Sequence, residues 1–267
     1  MAGLLIGSFL NVCVYRWPRD LSVMRPSRSY CPGCNQTIAW YDNIPVLSWL
    51  LLRARCRHCG TGISWRYPLV ELLTGLSFAI AVHSLGLTLL ALKLCLFSTI
   101  QIALFFSDLE ERILPDEFTK GGIVAGVALA WFVPMPAGFL QIFLPEDLDA
   151  RYISVIESAA SAALLSFVLW GIGELYFRIR GREGLGLGDV KMVGMLGAFL
   201  GLSGALFTLI VGSVLGSLVG IVFIYLARKD AATYELPSGS FLALAALLVG
   251  MQLYVLDGSQ SGRFISP

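Results

Sequence analysis

The sequence predicts an all-α polytopic membrane protein of about eight transmembrane helices, with a small zinc-binding cytoplasmic domain inserted after the first helix. Three observations predict it. The 267 residues are 57% hydrophobic and only 14% charged, and their mean hydropathy is +0.76. That is the composition of an integral membrane protein in a lipid bilayer, not of a soluble domain with a large core. The basic residues cluster on alternate connections between apolar runs, and four of the six cysteines form two close pairs in one polar segment. A net charge of +1 offers no electrostatic footprint for a nucleic-acid partner.

Residues 1–15 are apolar and end at Arg16-Trp17-Pro18-Arg19. Fifteen residues fall short of the ~20 that a spanning helix needs. A signal peptide would need a basic start, and small residues where Arg16 stands. The segment is therefore expected to be a first transmembrane helix with a trimmed or misassigned start. Its polar Ser8 and Asn11 are expected to face other helices.

Residues 16–66 differ in kind, with eight arginines and the pairs Cys31-Pro-Gly-Cys34 and Cys56-Arg-His-Cys59, separated by 21 residues. Two such knuckles compete as disulfides, a redox motif or a tetrahedral structural zinc site of Cys31, Cys34, Cys56 and Cys59. Positive flanking charge places them in the reducing cytoplasm, which favours zinc. Pro32, Gly33 and Gly60 supply the tight turns, and His58 is expected to be a solvated loop residue. A segment of about 50 residues with little core needs such a staple.

From Tyr67 the chain is membrane-like to residue 257, with spans expected at 67–85, 88–107, 118–134, 153–175, 190–206, 207–227 and 238–256. Sixteen of the 19 Lys and Arg fall on alternate loops, leaving only Lys93 within a span and Arg151 and Arg263 elsewhere. This asymmetry puts the cysteine segment and the ends near residues 108 and 189 on the cytoplasmic side. The acidic loop 134–152 is expected outside, and residues 258–267 form a polar tail.

Two acids then stand out. Asp189 lies in Gly184-Leu-Gly186-Leu-Gly188-Asp189, at the head of an apolar run, and Asp108 lies in Phe106-Ser107-Asp108-Leu109-Glu110 between two others. Acids at such places are expensive, and usually face a water-filled cavity or a partner. For Asp189 alone, a helix N-cap is the competing explanation. Gly186 and Gly188 leave room for an extended peptide to approach. Two carboxylates on one side of the membrane can share one site, with one activating water and the other polarising a peptide carbonyl. Glu110 rivals Asp108 for the first position, and Asp116, after Pro115, is expected to cap the next helix. Glu71 either pairs with a basic residue at the interface or has a functional role. His83, Cys95 and Cys13 read as packing residues.

Gly7-Ser-Phe-Leu-Asn-Val, the two Cys-x-x-Cys knuckles flanking Trp40-Tyr-Asp-Asn-Ile-Pro45, then Ser64-Trp-Arg-Tyr-Pro-Leu-Val-Glu71, Asp108, Leu114-Pro-Asp116 and Gly186-Leu-Gly-Asp189 occur in this order. Together they resemble the type IV prepilin peptidases over nearly the whole chain. The resemblance implies an aspartic endopeptidase with Asp108 and Asp189 as its pair, cutting leaders from type IV prepilins or type II secretion pseudopilins. It also implies N-methylation of the new N-terminus with S-adenosylmethionine, tied to the zinc-bearing region, in a bacterial inner (plasma) membrane protein with a cytoplasm-facing site. Ala54 stands where many members carry Gly. No classical nucleotide-binding glycine fingerprint marks a methyl-donor site, so its residues stay open. The alternative is a proton- or cation-coupled transporter using both acids as a relay. That function predicts internal repeats and a midplane site, neither of which the sequence displays.

The charge asymmetry makes a direct prediction. In intact cells, single cysteines placed in 134–152 should react with an impermeant maleimide, while those in 178–188 and 228–236 should not. Labelling at 178–188 would invert the orientation.

Overall fold

Long apolar runs leave backbone groups no partner but the chain itself, so helices dominate. The computed structural model describes the chain except residues 27, 136–137, 139–142, 144–147, 183, 228–236 and 258–267. Most of the expected acidic outer loop, the Arg228-Lys229 pair and the polar tail lie outside the described residues.

In chain order the helices are α1 (Ala2–Arg16), α2 (Leu47–Leu51), α3 (Arg66–Leu85), α4 (Leu89–Glu111), α5 (Asp116–Phe132), α6 (Ala150–Arg180), α7 (Leu187–Ala227) and α8 (Ser238–Met251). A π-helical turn, Gln252–Asp257, follows α8. Local chemistry sets several boundaries. The Thr88 side chain caps α4 by accepting from the Ala91 N–H, and the Asp149 carboxylate caps α6 by accepting from the Arg151 N–H. Gly86 and Gly181 end α3 and α6 with φ of 67° and 64°.

Five segments are long and apolar enough to cross a membrane: Arg66–Leu85, Leu89–Glu111, Ala150–Arg180, Leu187–Phe223 and Ser238–Val255. At 15 and 17 residues, α1 and α5 are shorter. The expected boundary at 206/207 is displaced. The interruption falls at Gly201, with φ of 70° inside α7, where glycine is the residue that adopts this conformation freely. Sequence hydropathy does not mark the spot because Leu200 and Leu202 continue the apolar run.

The helix order in space decides where the acids go. Helix α7 packs against α5, α6 and α8, while α4 packs against α8 and α3, and α1 against α3. Small residues permit close approach. An added Cβ at Gly7 would meet the Glu71 Cα at 2.7 Å, one at Gly126 the Ala198 Cβ at 2.9 Å, and one at Gly197 the Ser161 backbone at 2.9 Å. Asn11 faces another helix as expected, donating to the Tyr67 carbonyl at 3.1 Å. Lys93 is fully buried with its ammonium 5.4 Å from the Tyr254 ring, a cation–π contact. Cys13 and Cys95 are buried packing residues, whereas His83 is exposed.

Gly126→Leu should lower the melting temperature of the detergent-solubilised protein, since overpacking of this kind costs about 1–3 kcal/mol. Gly121→Leu is the matched control, because a Cβ there meets nothing within 4 Å, and should leave the melt unchanged or raise it.

Candidate active site and metal centre

Asp108 is on the last turns of α4 and only 6% exposed. The turn after it is tightly held. Arg112, at φ 55°, returns its N–H to the Asp108 carbonyl at 3.0 Å, and the Ser107 hydroxyl donates to the Ile113 carbonyl at 2.8 Å. Asp189 is half-buried in the first turn of α7, so it stands inside the helix instead of capping it. Both acids meet the start of α8. The Ser240 N–H donates to Asp108 Oδ2 at 2.6 Å, and its hydroxyl lies 2.9 Å from the same oxygen. The Ser238 hydroxyl lies 3.5 Å from Asp189 Oδ1. Between them Gly239 leaves the space open, since a Cβ there would stand 3.0 Å from Asp108 Cγ and 3.0 Å from Leu114 Cδ2, tight enough to press on both. The two carboxylates are thus gathered at residues two apart on one turn of α8.

The glycines before Asp189 differ from each other. An added Cβ at Gly188 would press on Leu114 at 3.3 Å, so that side is occupied. At Gly186 it would meet only the Asp189 carboxylate and the Gly188 nitrogen, at 3.5 and 4.0 Å, which leaves an exposed approach beside the acid.

The neighbouring acids are committed elsewhere. Glu110 pairs with the buried Arg66, and Glu111 with Arg19. Asp116 does not cap α5. It is that helix's first residue, and its carboxylate sits between Lys191 at 2.5 Å and Lys120 at 2.6 Å. Pro115, one residue earlier, already starts the helix with a suitable backbone angle. Glu71 also departs from the expected interfacial ion pair, accepting the Val46 N–H at 2.7 Å.

The cysteine segment is built from two copies of one turn, 25 positions apart. In each, the first cysteine's N–H donates five residues on, Cys31 to Gln36 O at 2.9 Å and Cys56 to Thr61 O at 2.8 Å. In each, the residue after the second cysteine is left-handed, Asn35 at φ 55° and Gly60 at φ 72°. Antiparallel bridges Tyr30–Thr37 and Arg55–Gly62 close the two turns. Gly33 abuts the second turn, where a Cβ would meet Thr61 Oγ1 at 2.6 Å. The four thiol sulfurs lie within 4.8 Å of one another, so the group can hold a metal ion. Tetrahedral metal–sulfur bonds of about 2.3 Å put sulfurs about 3.8 Å apart, and Cys31 and Cys59 stand at 3.7 Å. The hydroxyl and backbone of Thr61 pull the Cys59 thiol below its ordinary range, while the other three thiols push Cys34 above it, so the cluster shares its protons as a group. His58 is exposed, as expected of a loop residue. Ala54 has a φ of 58°, a left-handed position at which glycine is free of the Cβ penalty.

Residues 1–85 match the bacterial peptidase A24 N-terminal domain, and residues 95–221 match the type IV leader peptidase family. The prepilin leader peptidase/N-methyltransferase of Aeromonas hydrophila is 36% identical over 273 residues, covering 92% of this chain and 88% of the relative. This chain belongs to the type IV leader peptidase family. Another family member, the prepilin leader peptidase/N-methyltransferase of Myxococcus xanthus (strain DK1622), is 42% identical over 225 residues, or 83% of this chain. The match spans 61% of that relative's length. The type 4 prepilin-like proteins leader peptide-processing enzyme of Escherichia coli O78:H11 is 32% identical over 266 residues. No solved structure is a match. Within this leader peptidase chain, sequence reasoning misses Ser238, Gly239 and Ser240. Small polar residues after Pro237, at the head of the last apolar run, were the available signal, because such residues favour helix N-termini.

Elemental analysis of freshly purified protein should find one tightly held metal ion per chain. Cys31→Ser should lose it and loosen residues 16–66 to limited proteolysis. A metal-free wild-type chain would refute the site.

Proposed function

We propose that this chain is an intramembrane-type aspartic endopeptidase and N-methyltransferase. It cleaves the leader of a prepilin or pseudopilin at the cytoplasmic boundary of the bacterial inner membrane, then methylates the exposed N-terminal amine. The observation that carries the peptidase half is the meeting of Asp108 and Asp189 on one turn of α8, in a chain of this family. The relatives described above are named as processing enzymes, which leaves the transporter alternative without support.

The chemistry follows from two acids with unequal surroundings. Two close carboxylates do not easily both ionise, so the pair holds one proton, and its apparent pKa values belong to the dyad. The ionised member takes a proton from water as the water oxygen attacks the scissile carbonyl. The protonated member gives its proton to the carbonyl oxygen. As the tetrahedral intermediate collapses and its C–N bond breaks, the carboxyl that took water's proton gives it to the leaving amine, and the other carboxylate takes a proton from a gem-diol hydroxyl, which restores the singly protonated pair. Ser240 holds Asp108 in place, and the open side of Gly186 admits an extended substrate edge. Glu110 and Asp116 support the site indirectly, through Arg66 and Lys191.

We assign residues 16–66 to a cytoplasmic zinc-binding domain in which Cys31, Cys34, Cys56 and Cys59 hold a structural zinc. Residues 67–257 form the transmembrane peptidase domain, completed by the first helix at 1–15, with about eight spans in all. S-adenosylmethionine supplies the methyl group.

Asp108→Asn and Asp189→Asn should each abolish prepilin cleavage on a gel-shift assay, and the double variant should be little worse than either, since the pair acts as a unit. Methylation of a pre-cleaved pilin should survive both. Ser240→Ala should slow cleavage about 10- to 100-fold, the range expected when a hydrogen bond to a charged group is lost. Glu110→Gln should cleave. If it is dead while Asp108→Asn is active, the first catalytic acid is Glu110.

A further inference from the structure

A cavity of about 340 Å³ lies between the cysteine segment, α1 and α3. It is distinct from the aspartate site, and every residue that lines it falls within the N-terminal family match at 1–85, outside the match at 95–221. Its volume is in the range of small-molecule sites, which run from about 300 to 1,000 Å³.

The walls specify the kind of ligand. Glu71 contributes a carboxylate that is 7% exposed and has no basic partner among the described residues. Two arginines reach the cavity, and both are used elsewhere. Arg16 donates to the carbonyls of Ser22, Val23 and Pro26, and Arg57 forks onto Asp42. That fork holds the Asp42 carboxyl below its ordinary range. Of the two acids that line the cavity, Asp42 is thus paired with a cation and Glu71 is not: the Glu71 carboxylate accepts the Val46 N–H at 2.7 Å and is bonded by the Ser8 side chain, and a cationic ligand would supply the charge partner it lacks. Tyr30 and Trp49 offer flat aromatic walls, Asn43 offers an amide, and Asn11, whose nitrogen donates to the Gly7 and Tyr67 carbonyls, offers its amide oxygen. A cationic group attached to a planar heterocycle meets all three demands.

The cavity also lies at the end of the molecule that carries the acids. Arg66 opens α3 a turn and a half before Glu71 and pairs with Glu110, two residues from Asp108. An amine released at the aspartates is therefore at the same end of the molecule as the cavity.

We propose that this cavity binds the methyl donor, an adenosyl sulfonium compound, with Glu71 recognising the sulfonium charge. Tyr30 and Trp49 flank the purine, and Asn11 and Asn43 serve its polar edges. This rests on the methyltransferase half of the proposed function and is independent of the aspartate pair.

The test measures binding, not turnover. Full-length protein in detergent is dialysed to equilibrium against radiolabelled S-adenosylmethionine and, separately, against S-adenosylhomocysteine, its neutral thioether counterpart. Glu71→Gln should weaken the sulfonium ligand about tenfold or more while changing the thioether little, because only the former loses a desolvated charge partner. Val12→Phe, which fills the cavity from α1, should weaken both. If Val12→Phe unfolds on a thermal melt, Asn43→Trp at the exposed edge replaces it. Wild-type affinity for both ligands in folded Glu71→Gln and in the filled variant would overturn the cavity as the site. Equal weakening of both ligands by Glu71→Gln would overturn its role in charge recognition. A wild-type chain that methylates pilin but shows neither effect refutes the cavity alone. One that neither binds nor methylates refutes the methyltransferase function together with it.

Discussion

Ser240 gives the buried carboxylate of Asp108 a backbone donor at 2.6 Å and a hydroxyl at 2.9 Å, and much of the bundle is arranged to make those contacts possible. A carboxylate taken out of water with no donors costs several kcal/mol. The free N–H groups of a helix's first turn are suited to it, in hydrogen bonding and in dipole. Helix α8 must therefore start beside the end of α4. Gly239 allows the approach, and α7 brings Asp189 to Ser238 on the same turn. The 81 positions between the acids matter little once α4, α7 and α8 are packed together.

A second set of contacts joins the N-terminal segment to this end of the bundle. Arg66 and Arg19 hold Glu110 and Glu111, so the last turn of α4 is tied to residues on either side of the cysteine segment. Trp17 lies edge-on to Phe118 of α5 at 4.5 Å between ring centroids. Arg19–Glu111 is partly exposed and worth little by itself. The nearly buried Arg66 is different, because removal of Glu110 would leave its charge uncompensated. This coupling suits an enzyme in which one substrate end is first cut and then modified.

The cysteine segment shows how a polar stretch holds a shape without a core. Each of its two turns repeats the same hydrogen bonds and the same left-handed corner, and the four thiols close the structure around a shared point. Asn35 fills the corner that Gly60 fills in the other copy. Asparagine tolerates this region because its short polar side chain bonds locally.

Composition and pattern alone point to the helical class, the polar insertion after α1, four cysteines spaced to hold a metal ion and the two acids worth attention. These signals are local, because hydropathy, knuckle spacing and an acid beside glycines each lie within a few neighbouring residues. Three-dimensional packing decided the rest. It placed Ser238 and Ser240 against the acids, drew Glu110 onto Arg66 and Asp116 onto Lys191, gave Glu71 to the Val46 N–H, and put the interruption of α7 at Gly201. Each depends on which helix lies beside which, and helices that are apolar on all sides carry little record in their sequence of the neighbour they will meet.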